Sequence, residues 1–243
     1  WRTCRDGCAV VHHAGGTMPF LRTAPGIVTL HDLQPLSNPD RFSLLKRTWI
    51  RFVAPRSLRA ASAVVCLTAF TADDAVTRAG VDADRVHLVP CGVEDPGAAV
   101  DRADAASLLA MYDLVDRPFV LDPAITYPHK NHATLVAAFA GVAARRPDAR
   151  LVLTGGEGPS ETLVRSTIDA YGLADRVVRT GRIPEADLDL LYRSANLVAF
   201  PSLYEGFGLP VLEAMARGCA VVASDVGGLP LVAGDAAILV DPL

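Results

Sequence analysis

Short apolar runs alternate with longer stretches of helical spacing along this chain, and this alternation limits the fold more than any other feature. The β-branched, apolar runs that predict strands are residues 7–12, 26–31, 63–67, 85–89, 118–122, 151–154, 176–180, 197–200, 219–223 and 236–240. The stretches that predict helices are residues 43–60, 71–79, 131–145, 160–171 and 184–194, with one more that begins at Pro210. Strands that alternate with helices in this way form parallel sheets with helices on both faces. The predicted fold class is therefore α/β.

The alternation falls into two series, separated by a segment without a clear period. That segment, residues 94–104, contains mainly Asp, Ala and Pro and is predicted to be a linker. We therefore expect an N-terminal Rossmann-like domain at 1–97 and a C-terminal one at 98–243, each a doubly wound sheet. In such sheets ligands bind beyond the carboxyl ends of the strands, so the loops at those ends are the candidate sites.

Composition and charge exclude several classes of protein. The formal net charge is −4 and the pI about 5.8, so no general attraction to nucleic acid is expected. No apolar run reaches the ~18 residues that a transmembrane helix needs. The five cysteines are odd in number and scattered, which favours buried thiols in a reducing compartment, and so a cytoplasmic protein, over a disulfide framework. The chain begins at Trp1 and stops at Leu243, just after a predicted strand, so we expect a piece that lacks both ends, with the first domain incomplete.

The stretch FPSLYEGFGLPVLEAMA, which begins at Phe200, predicts a strand end, a glycine-interrupted turn and a helix. Pro210 stands at the predicted helix start, and the free N–H groups and dipole of such a start favour an anion. Two carboxylates flank this position, Glu205 in the turn and Glu213 in the helix. Because a carboxylate does not bind phosphate, they are expected to face sugar or ribose hydroxyls. The equally weighted alternative is that Glu205 stabilises the helix dipole and Glu213 is an exposed helix residue.

Lys130 is one of only two lysines among the 23 basic residues, and it stands at another predicted helix start. Asn131 is the expected cap of that helix, and Pro128 favours extended backbone before it. The helix dipole does not stabilise a cation at this end, so a lysine there makes sense if an anion is bound between it and the helix. We predict that Lys130 binds phosphate; the alternative is an ordinary surface lysine.

The stretch EGFGLPVLEAMA, which begins at Glu205, resembles the nucleotide-sugar signature of glycosyltransferase family 4, and Lys130 agrees with that resemblance. Members of this family are retaining enzymes of the GT-B fold, in which two Rossmann-like domains face a cleft. The resemblance implies that Glu205 contacts the transferred sugar, that Glu213 holds the ribose and that Lys130 binds the diphosphate. It also assigns donor binding to Gly206, Phe207, Gly208, Leu209, Gly155 and the backbone near Ile183. Thr29-Leu30-His31-Asp32 resembles the family element whose histidine lines the cleft near the sugar, although an isolated histidine at a strand end is more often structural.

The chain departs from the family pattern at two positions near these motifs. Many members carry an arginine six residues before the lysine, where this chain has Ala124, so one phosphate contact is missing. Either another cation replaces it, or backbone N–H groups hold more of the diphosphate. Thr68 occupies a position that is usually serine in the family.

The function that the resemblance implies is retaining transfer of a hexose, of the mannose or glucose type, from a nucleotide-diphosphate sugar. The acceptor would be a glycan, a lipid-linked or a small-molecule hydroxyl, and neither a metal nor a cofactor is expected. Lys130 and the helix start after Gly208 are predicted to stabilise the charge on the departing diphosphate. Two alternatives remain open, a nucleotide-sugar epimerase of similar fold and a non-catalytic module that binds nucleotide sugars.

Two other features have ordinary explanations that we weigh more heavily than functional ones. Cys4, Cys8 and His12 have a spacing that would suit a metal site on a helix, but the segment is predicted to be strand and loop. The basic, amphipathic stretch 43–60 is typical of a domain helix with a solvated charged face. Its alternative role is weak peripheral contact with the inner face of a membrane.

Overall fold

The computed structural model describes residues 8–21, 24–34, 44–94 and 102–243. The chain divides into two compact units. The first takes Trp1–Gly92 together with the short segment Glu205–Phe207, and the second takes Val93–Tyr204 and Gly208–Leu243. The boundary predicted between residues 97 and 98 lies outside the described residues.

The first unit is a parallel sheet of four strands in its described part, in the order β1-β2-β3-β4. Its elements are β1 (Val11–His13), β2 (Gly26–Leu30), α1 (Leu44–Arg59), β3 (Ala63–Cys66), α2 (Ala69–Thr77), a 3₁₀ turn (Ala83–Arg85) and β4 (Val86–Leu88). The core forms where apolar residues of β2 and β3, such as Val28, Leu30 and Val64, pack against Leu58 of α1 and Ala75 of α2.

The second unit is a parallel sheet of six strands in the order β10-β9-β8-β5-β6-β7. Its helices are α3 (Arg102–Met111), α4 (His132–Arg145), α5 (Glu161–Ala170), α6 (Glu185–Ser194), α7 (Leu209–Ala216) and α8 (Leu229–Ala233), with a 3₁₀ turn at Pro128–Lys130. Its strands are β5 (Phe119–Pro123), β6 (Arg150–Thr154), β7 (Val177–Gly181), β8 (Leu197–Phe200), β9 (Val221–Ser224) and β10 (Ile238–Val240).

Helices cover both faces of this sheet, which explains the apolar runs at the centres of its inner strands. Successive residues of a strand point to opposite faces. In β6, Leu151 and Leu153 belong to a core with α4 and α5, while Val152 belongs to a second core with α6 and α7. Since both faces are buried, these three central positions are all apolar rather than alternately apolar and polar. The α/β class and the paired parallel sheets are thus confirmed.

Some predicted details were wrong at the level of elements. Helix α3 begins at Arg102, inside the segment predicted to be a linker, and Leu108 packs into the core of the second unit. Helix α8 was not predicted at all. The cap of α2 is Thr68, whose hydroxyl accepts from the Thr71 backbone N–H, although the helix was predicted to start only at residue 71. The extended conformation of Thr68 places its hydroxyl in the capping position.

Among the cysteines that the structure describes, Cys8 differs from the prediction. Cys66 and Cys219 are buried free thiols as expected, and burial raises the pKa of Cys66 to about 11. Cys8, in contrast, is disulfide-bonded. The prediction of thiols alone was therefore wrong for Cys8.

Helix α1 carries the basic stretch noted in the sequence. It contains no acidic residue and ends with Arg56 and Arg59 in its last turn. Phe52 is 53% exposed, so the predicted apolar side of the helix is not fully covered. Across the described residues no helix has both the length and the hydrophobicity that a bilayer crossing requires.

Candidate active site

The sheet of the second unit has its switch point between β5 and β8. From β5 the chain adds β6 and β7 on one side, and it then returns to build β8, β9 and β10 on the other. Loops that leave two such strands diverge, and the crevice between them is where doubly wound sheets bind ligands. The loop after β5 carries Lys130, and the loop after β8 leads to Gly208. Both predicted phosphate-binding elements therefore follow the two strands at the switch point.

Lys130 ends the 3₁₀ turn Pro128–Lys130, which connects β5 to α4. Tyr127 before it is extended, as expected for a residue that precedes proline. Asn131 after it has a φ of 59°, a left-handed conformation that asparagine tolerates. Asn131 was predicted to cap α4, but its side chain makes no capping hydrogen bond. Its Nδ2 donates to the Pro242 carbonyl (3.0 Å), and its Oδ1 accepts from the Thr134 hydroxyl (2.8 Å).

The ring of Phe200, the last residue of β8, lies under both predicted phosphate-binding elements. The Lys130 ammonium is 4.7 Å from the ring centroid, within the range of a cation–π contact. A Cβ added at Gly208 would lie 3.9 Å from Cε1 of the same ring. The two loops are also joined by the Leu203 N–H, which donates to the His129 carbonyl (2.7 Å). The structure thus brings Lys130 and the start of α7 to one buried aromatic ring.

Gly208 is the residue before α7, and its geometry requires glycine. Its φ is 91°, a region that residues with a Cβ rarely adopt, and an added Cβ would overlap with Leu229 Cδ2. Leu209 then begins the helix and is 39% exposed, with Pro210 in the first turn as predicted. The start of α7 therefore approaches its surroundings through backbone rather than side chains.

Glu213 is neither free nor fully exposed, because Tyr192 of α6 holds it. The phenol of Tyr192 donates to Glu213 Oε2 at 2.8 Å. Tyr192 is 1% exposed, and burial raises the pKa of its phenol well above the ordinary value, so it remains a hydrogen-bond donor. Arg217 lies over the Tyr192 ring and donates to the Glu213 carbonyl. Sequence reasoning missed Tyr192, since nothing in an amphipathic helix indicates which residue reaches a carboxylate on the next helix.

Gly155 and Ile183 lie at the carboxyl ends of β6 and β7. Gly155 has a φ of 103°, and an added Cβ would lie 2.8 Å from the Ala124 carbonyl oxygen. Its own N–H donates to the Gly181 carbonyl (2.8 Å), so that amide is already used within the protein. The Ile183 side chain packs against the core of the second unit, which leaves its backbone as the part available to a ligand.

Thr126 ties the glycine-rich loop after β6 to the chain that leads from β5 to Lys130. Its hydroxyl accepts from the Gly158 N–H (2.7 Å) and donates to Glu161 (3.0 Å). Glu161 is a buried carboxylate that also binds Arg179 (2.5 Å) and Arg165 (2.9 Å). These contacts fix the loop rigidly, and neither Thr126 nor Glu161 was singled out from the sequence.

His132, at the start of α4, is a buried and neutral histidine. It is 2% exposed, and burial lowers the pKa of its ring to about 4, assisted by the positive charges of Arg179 and Lys130. Its Nε2 lies 3.3 Å from the Ala124 carbonyl and 3.4 Å from Asp122 Oδ2. The neutral ring therefore donates from Nε2 to the backbone, at the position where the family pattern has an arginine.

The first unit contains the other predicted site residues, His31 and the segment Glu205–Phe207. His31 is exposed, and its Nε2 donates to the Ala14 carbonyl (2.8 Å), which fixes the ring. A Cβ added at Gly206 would overlap with the His31 carbonyl oxygen, so the two backbones are in direct contact. Asp32 caps the following turn by accepting from the Gln34 N–H (2.9 Å). Within this unit His31 and the Glu205 segment are thus neighbours.

The described residues include no group of three or more His, Cys, Asp or Glu side chains arranged to hold a metal ion. Of the weighed metal-site residues, Cys8 is disulfide-bonded and His12 Nε2 hydrogen-bonds the Thr29 hydroxyl (2.7 Å). Cys4 lies outside the described residues.

Comparison with known proteins identifies the family. Residues 115–242 match the family model "Glycosyl transferases group 1", and residues 5–95 match "Glycosyltransferase Family 4". The O-antigen chain mannosyltransferase B of Escherichia coli is 27% identical over 239 residues, which are 98% of this chain and 63% of that protein.

Two solved structures have the same fold over most of the chain. The Anabaena protein Alr3699/HepE in complex with UDP-glucose is 25% identical, with a TM-score of 0.76 over 90% of this chain and 59% of its own. The sucrose-phosphate synthase tll1590 of Thermosynechococcus elongatus is 29% identical, with a TM-score of 0.74 over 92% of this chain and 56% of its own. The chain thus spans about three fifths of the length of these relatives. It belongs to the glycosyl transferases group 1 family and has the GT-B fold.

Proposed function

We propose that the protein containing this chain is a retaining glycosyltransferase that moves a hexose from a nucleotide-diphosphate sugar to an acceptor hydroxyl. The acceptor would be a glycan, a lipid-linked sugar or a small molecule. The observation that carries this proposal is the position of Lys130 and the start of α7 against one ring, Phe200. Two comparisons support this proposal: one relative is named a mannosyltransferase, and one structural neighbour holds UDP-glucose.

In the proposed reaction the bond between the anomeric carbon and the diphosphate oxygen breaks, a bond to the acceptor oxygen forms, and the proton of the acceptor hydroxyl passes to the departing diphosphate. Negative charge grows on the departing diphosphate. A preorganised ammonium at Lys130 and the N–H groups at the start of α7 stabilise that charge more in the transition state than in the ground state. Glu213, oriented by Tyr192, would accept from the ribose hydroxyls. Glu205 and His31 would position the transferred sugar.

The proposed reaction needs no metal ion or cofactor, because the chain supplies the positive charge itself. A divalent cation would otherwise be the usual partner of a diphosphate leaving group. The test is turnover in the presence of a chelator. We expect the rate to stay within about twofold of the untreated protein. A large loss that added Mg²⁺ or Mn²⁺ restores would contradict this part of the proposal.

The whole proposal is tested by incubating the complete protein with UDP-, GDP- and ADP-hexoses and a panel of acceptors. A glycoside with the anomeric configuration of the donor is the expected product. Free epimerised sugar would instead identify an epimerase. Donor binding without either product would identify a non-catalytic binding module.

Glu205→Gln tests the role of the carboxylate in the turn. Replacement of the charged group by a neutral one of equal size removes one preorganised polar contact with the sugar, so we expect turnover to fall at least ~100-fold. Glu157→Gln, a change of an exposed carboxylate that pairs with Arg165, is the matched control. Near-normal turnover of Glu205→Gln would remove Glu205 from the mechanism.

We also propose that the protein works at the inner face of a membrane, through α1. A cavity of about 430 Å³ is lined by Arg51, Phe52, Pro55, Arg56, Arg59 and Arg78, so four guanidinium groups border it. An exposed aromatic ring amid cations is typical of contact with anionic headgroups. The expected result is co-flotation with phosphatidylglycerol vesicles and not with phosphatidylcholine vesicles. If the protein floats with neither kind of vesicle, the proposed membrane contact is contradicted.

A further inference from the structure

Two buried threonine hydroxyls of the first unit converge on one backbone oxygen in the segment that carries Glu205. The Thr68 hydroxyl donates to the Gly206 carbonyl at 2.8 Å, and the Thr71 hydroxyl lies 3.3 Å from the same oxygen. Thr68 is 6% exposed and Thr71 1% exposed. Both contacts join residues more than 130 positions apart in the chain, so they are features of the fold rather than of local sequence.

The hydrogen-bond pattern assigns a direction to each hydroxyl. Thr68 Oγ1 accepts from the Thr71 N–H as the cap of α2, so its own proton is left for the Gly206 carbonyl. The Thr71 hydroxyl has Thr68 Oγ1 (3.1 Å) and the same carbonyl as its acceptors. A carbonyl oxygen has two lone pairs, and these two donors can fill both.

The Cα of Gly206 is closely surrounded as well. A Cβ added there would overlap with the His31 carbonyl oxygen and would lie 2.9 Å from Asp32 Cβ. The two hydroxyls restrain the peptide that joins Gly206 to Phe207, and the His31 backbone leaves no room for the Gly206 Cα to move towards it. Glu205 is attached to that Cα through one planar peptide, so few rotations separate the Glu205 side chain from the restrained residue.

We infer that Thr68 and Thr71 are positioning residues, which orient the Glu205 carboxylate through the Gly206 peptide and thereby set turnover rather than donor affinity. This inference rests on the proposed role of Glu205. A catalytic group displaced by about 1 Å loses up to ~100-fold in rate even where ligand binding is preserved. Loss of one of two donors should have a smaller effect than loss of Glu205 itself.

A purely structural role for the two threonines predicts something different. If they only cap α2, then Thr71 is dispensable as a side chain, because the cap uses its backbone N–H and the Thr68 hydroxyl. The Thr71 hydroxyl is therefore the group that separates the two roles. Valine has nearly the same shape as threonine and lacks only the donor, and serine keeps the donor.

The test measures kcat and donor KM of the complete protein for Thr71→Val and Thr71→Ser, with thermal unfolding as a check of folding. We expect Thr71→Val to lower kcat about 10-fold with KM within about twofold, and Thr71→Ser to recover to within about threefold of wild type. Thr77→Val is the matched control. The Thr77 hydroxyl also donates to a backbone carbonyl, but it is exposed and its acceptor is Asp73 of α2 rather than Gly206. It should leave kcat unchanged.

A second variant covers the case in which Thr71→Val does not fold. Thr68→Asp keeps a good cap acceptor for α2 but brings no proton to the Gly206 carbonyl. Its kcat should therefore fall at least as far as that of Thr71→Val. Wild-type kcat in either variant, or an equal loss in Thr77→Val, would overturn the inference. A wild-type protein without transfer activity would overturn the proposed function and the positioning role with it. If the wild-type protein turns over normally and Thr71→Val has the same kcat, only the positioning role is overturned.

Discussion

At the scale of single residues, the candidate site of the second unit depends on buried side chains that contact the predicted ligand-binding groups and fix their positions. Tyr192 supports Glu213, Phe200 lies under Lys130, and Thr126 fixes the loop after β6. These supports are buried, so their removal leaves a charged or polar group without its partner in a region of low dielectric. Such losses are larger than those of exposed contacts.

Tyr192→Phe tests the support of Glu213. The change deletes one hydrogen bond to a carboxylate and leaves the buried ring in place, so the fold should persist. A hydrogen bond to a charged group contributes roughly 1.5–3 kcal/mol. Because Glu213 would keep part of its orientation, we expect donor Kd to rise about 5- to 10-fold by calorimetry. Tyr171→Phe, at a tyrosine that is 51% exposed, is the matched control and should bind donor normally. Equal affinities of Tyr192→Phe and wild type would contradict the assignment of Glu213 to the donor.

His132 predicts a pH dependence of stability. Its pKa is about 4 in the folded protein, below its ordinary value of 6.5, so the unfolded chain binds more protons between those values. The contribution is therefore complete above pH 6.5 and is lost as pH falls towards 4, by a total of about 3 kcal/mol. Urea unfolding between pH 4 and 7.5 measures it. His132→Gln should lack this part of the slope, and identical slopes for variant and wild type would contradict a neutral buried ring.

The sequence singled out the candidate ligand-binding residues but not the buried side chains that contact them. Lys130 was identifiable because a cation at a helix start has no local reason to be there, and Glu205 and Glu213 because they flank a glycine turn. Tyr192 was not, since the spacing of 21 residues between it and Glu213 is set by how α6 packs on α7. Thr68 and Thr71 are both cap-forming residue types, and only the backbone conformation in the structure shows that Thr68 is the cap of α2.

At the scale of elements, the start of α7 depends on Gly208, and this gives a prediction about stability. Gly208→Ala would place a Cβ at a φ of 91° and against Leu229, with a cost of about 2–4 kcal/mol from strain and overlap. Gly141→Ala is the matched control, because Gly141 lies inside α4 with no atom nearer than 3.8 Å to an added Cβ. That variant should be more stable by about 0.5–1 kcal/mol, since alanine favours helix.

Urea unfolding of both glycine variants measures the difference. Equal midpoints for Gly208→Ala and wild type would show that α7 can start without a left-handed residue. That result would remove the reason why backbone rather than a side chain faces the ligand there.

Strands were easier to predict than helices for a physical reason. Burial on both faces makes an inner strand such as β8 (Leu197–Phe200) a continuous apolar run, which is a clear signal in the sequence. Helix α3 lacks such a signal, since Leu108 is its only described residue that is fully buried and its stability comes from packing in the second unit. Helix α8 is five residues long, too short to show a period.

At the scale of the whole molecule, the chain has a formal net charge of −4, so its overall field does not attract a nucleotide diphosphate. The proposed donor site therefore depends on a local arrangement, that of the loops after β5 and β8. The order of strands produces that arrangement, because it places the loops with Lys130 and Gly208 at the switch point. The alternation of strands and helices, visible in the sequence, predicted the class of fold, and the location of the donor site at the switch point is part of the proposal.

The measurement that tests the central claim most directly is calorimetric titration of wild type and Lys130→Gln with UDP-glucose, GDP-mannose and the matching free nucleosides. We predict that Lys130→Gln loses about 10- to 100-fold in affinity for the nucleotide sugar that wild type binds, with nucleoside affinity unchanged, because only the diphosphate contact is removed. Lys46→Gln, at the other lysine of the chain, should bind as wild type does. Equal nucleotide-sugar affinity of wild type and Lys130→Gln would contradict a diphosphate site at Lys130 and the start of α7.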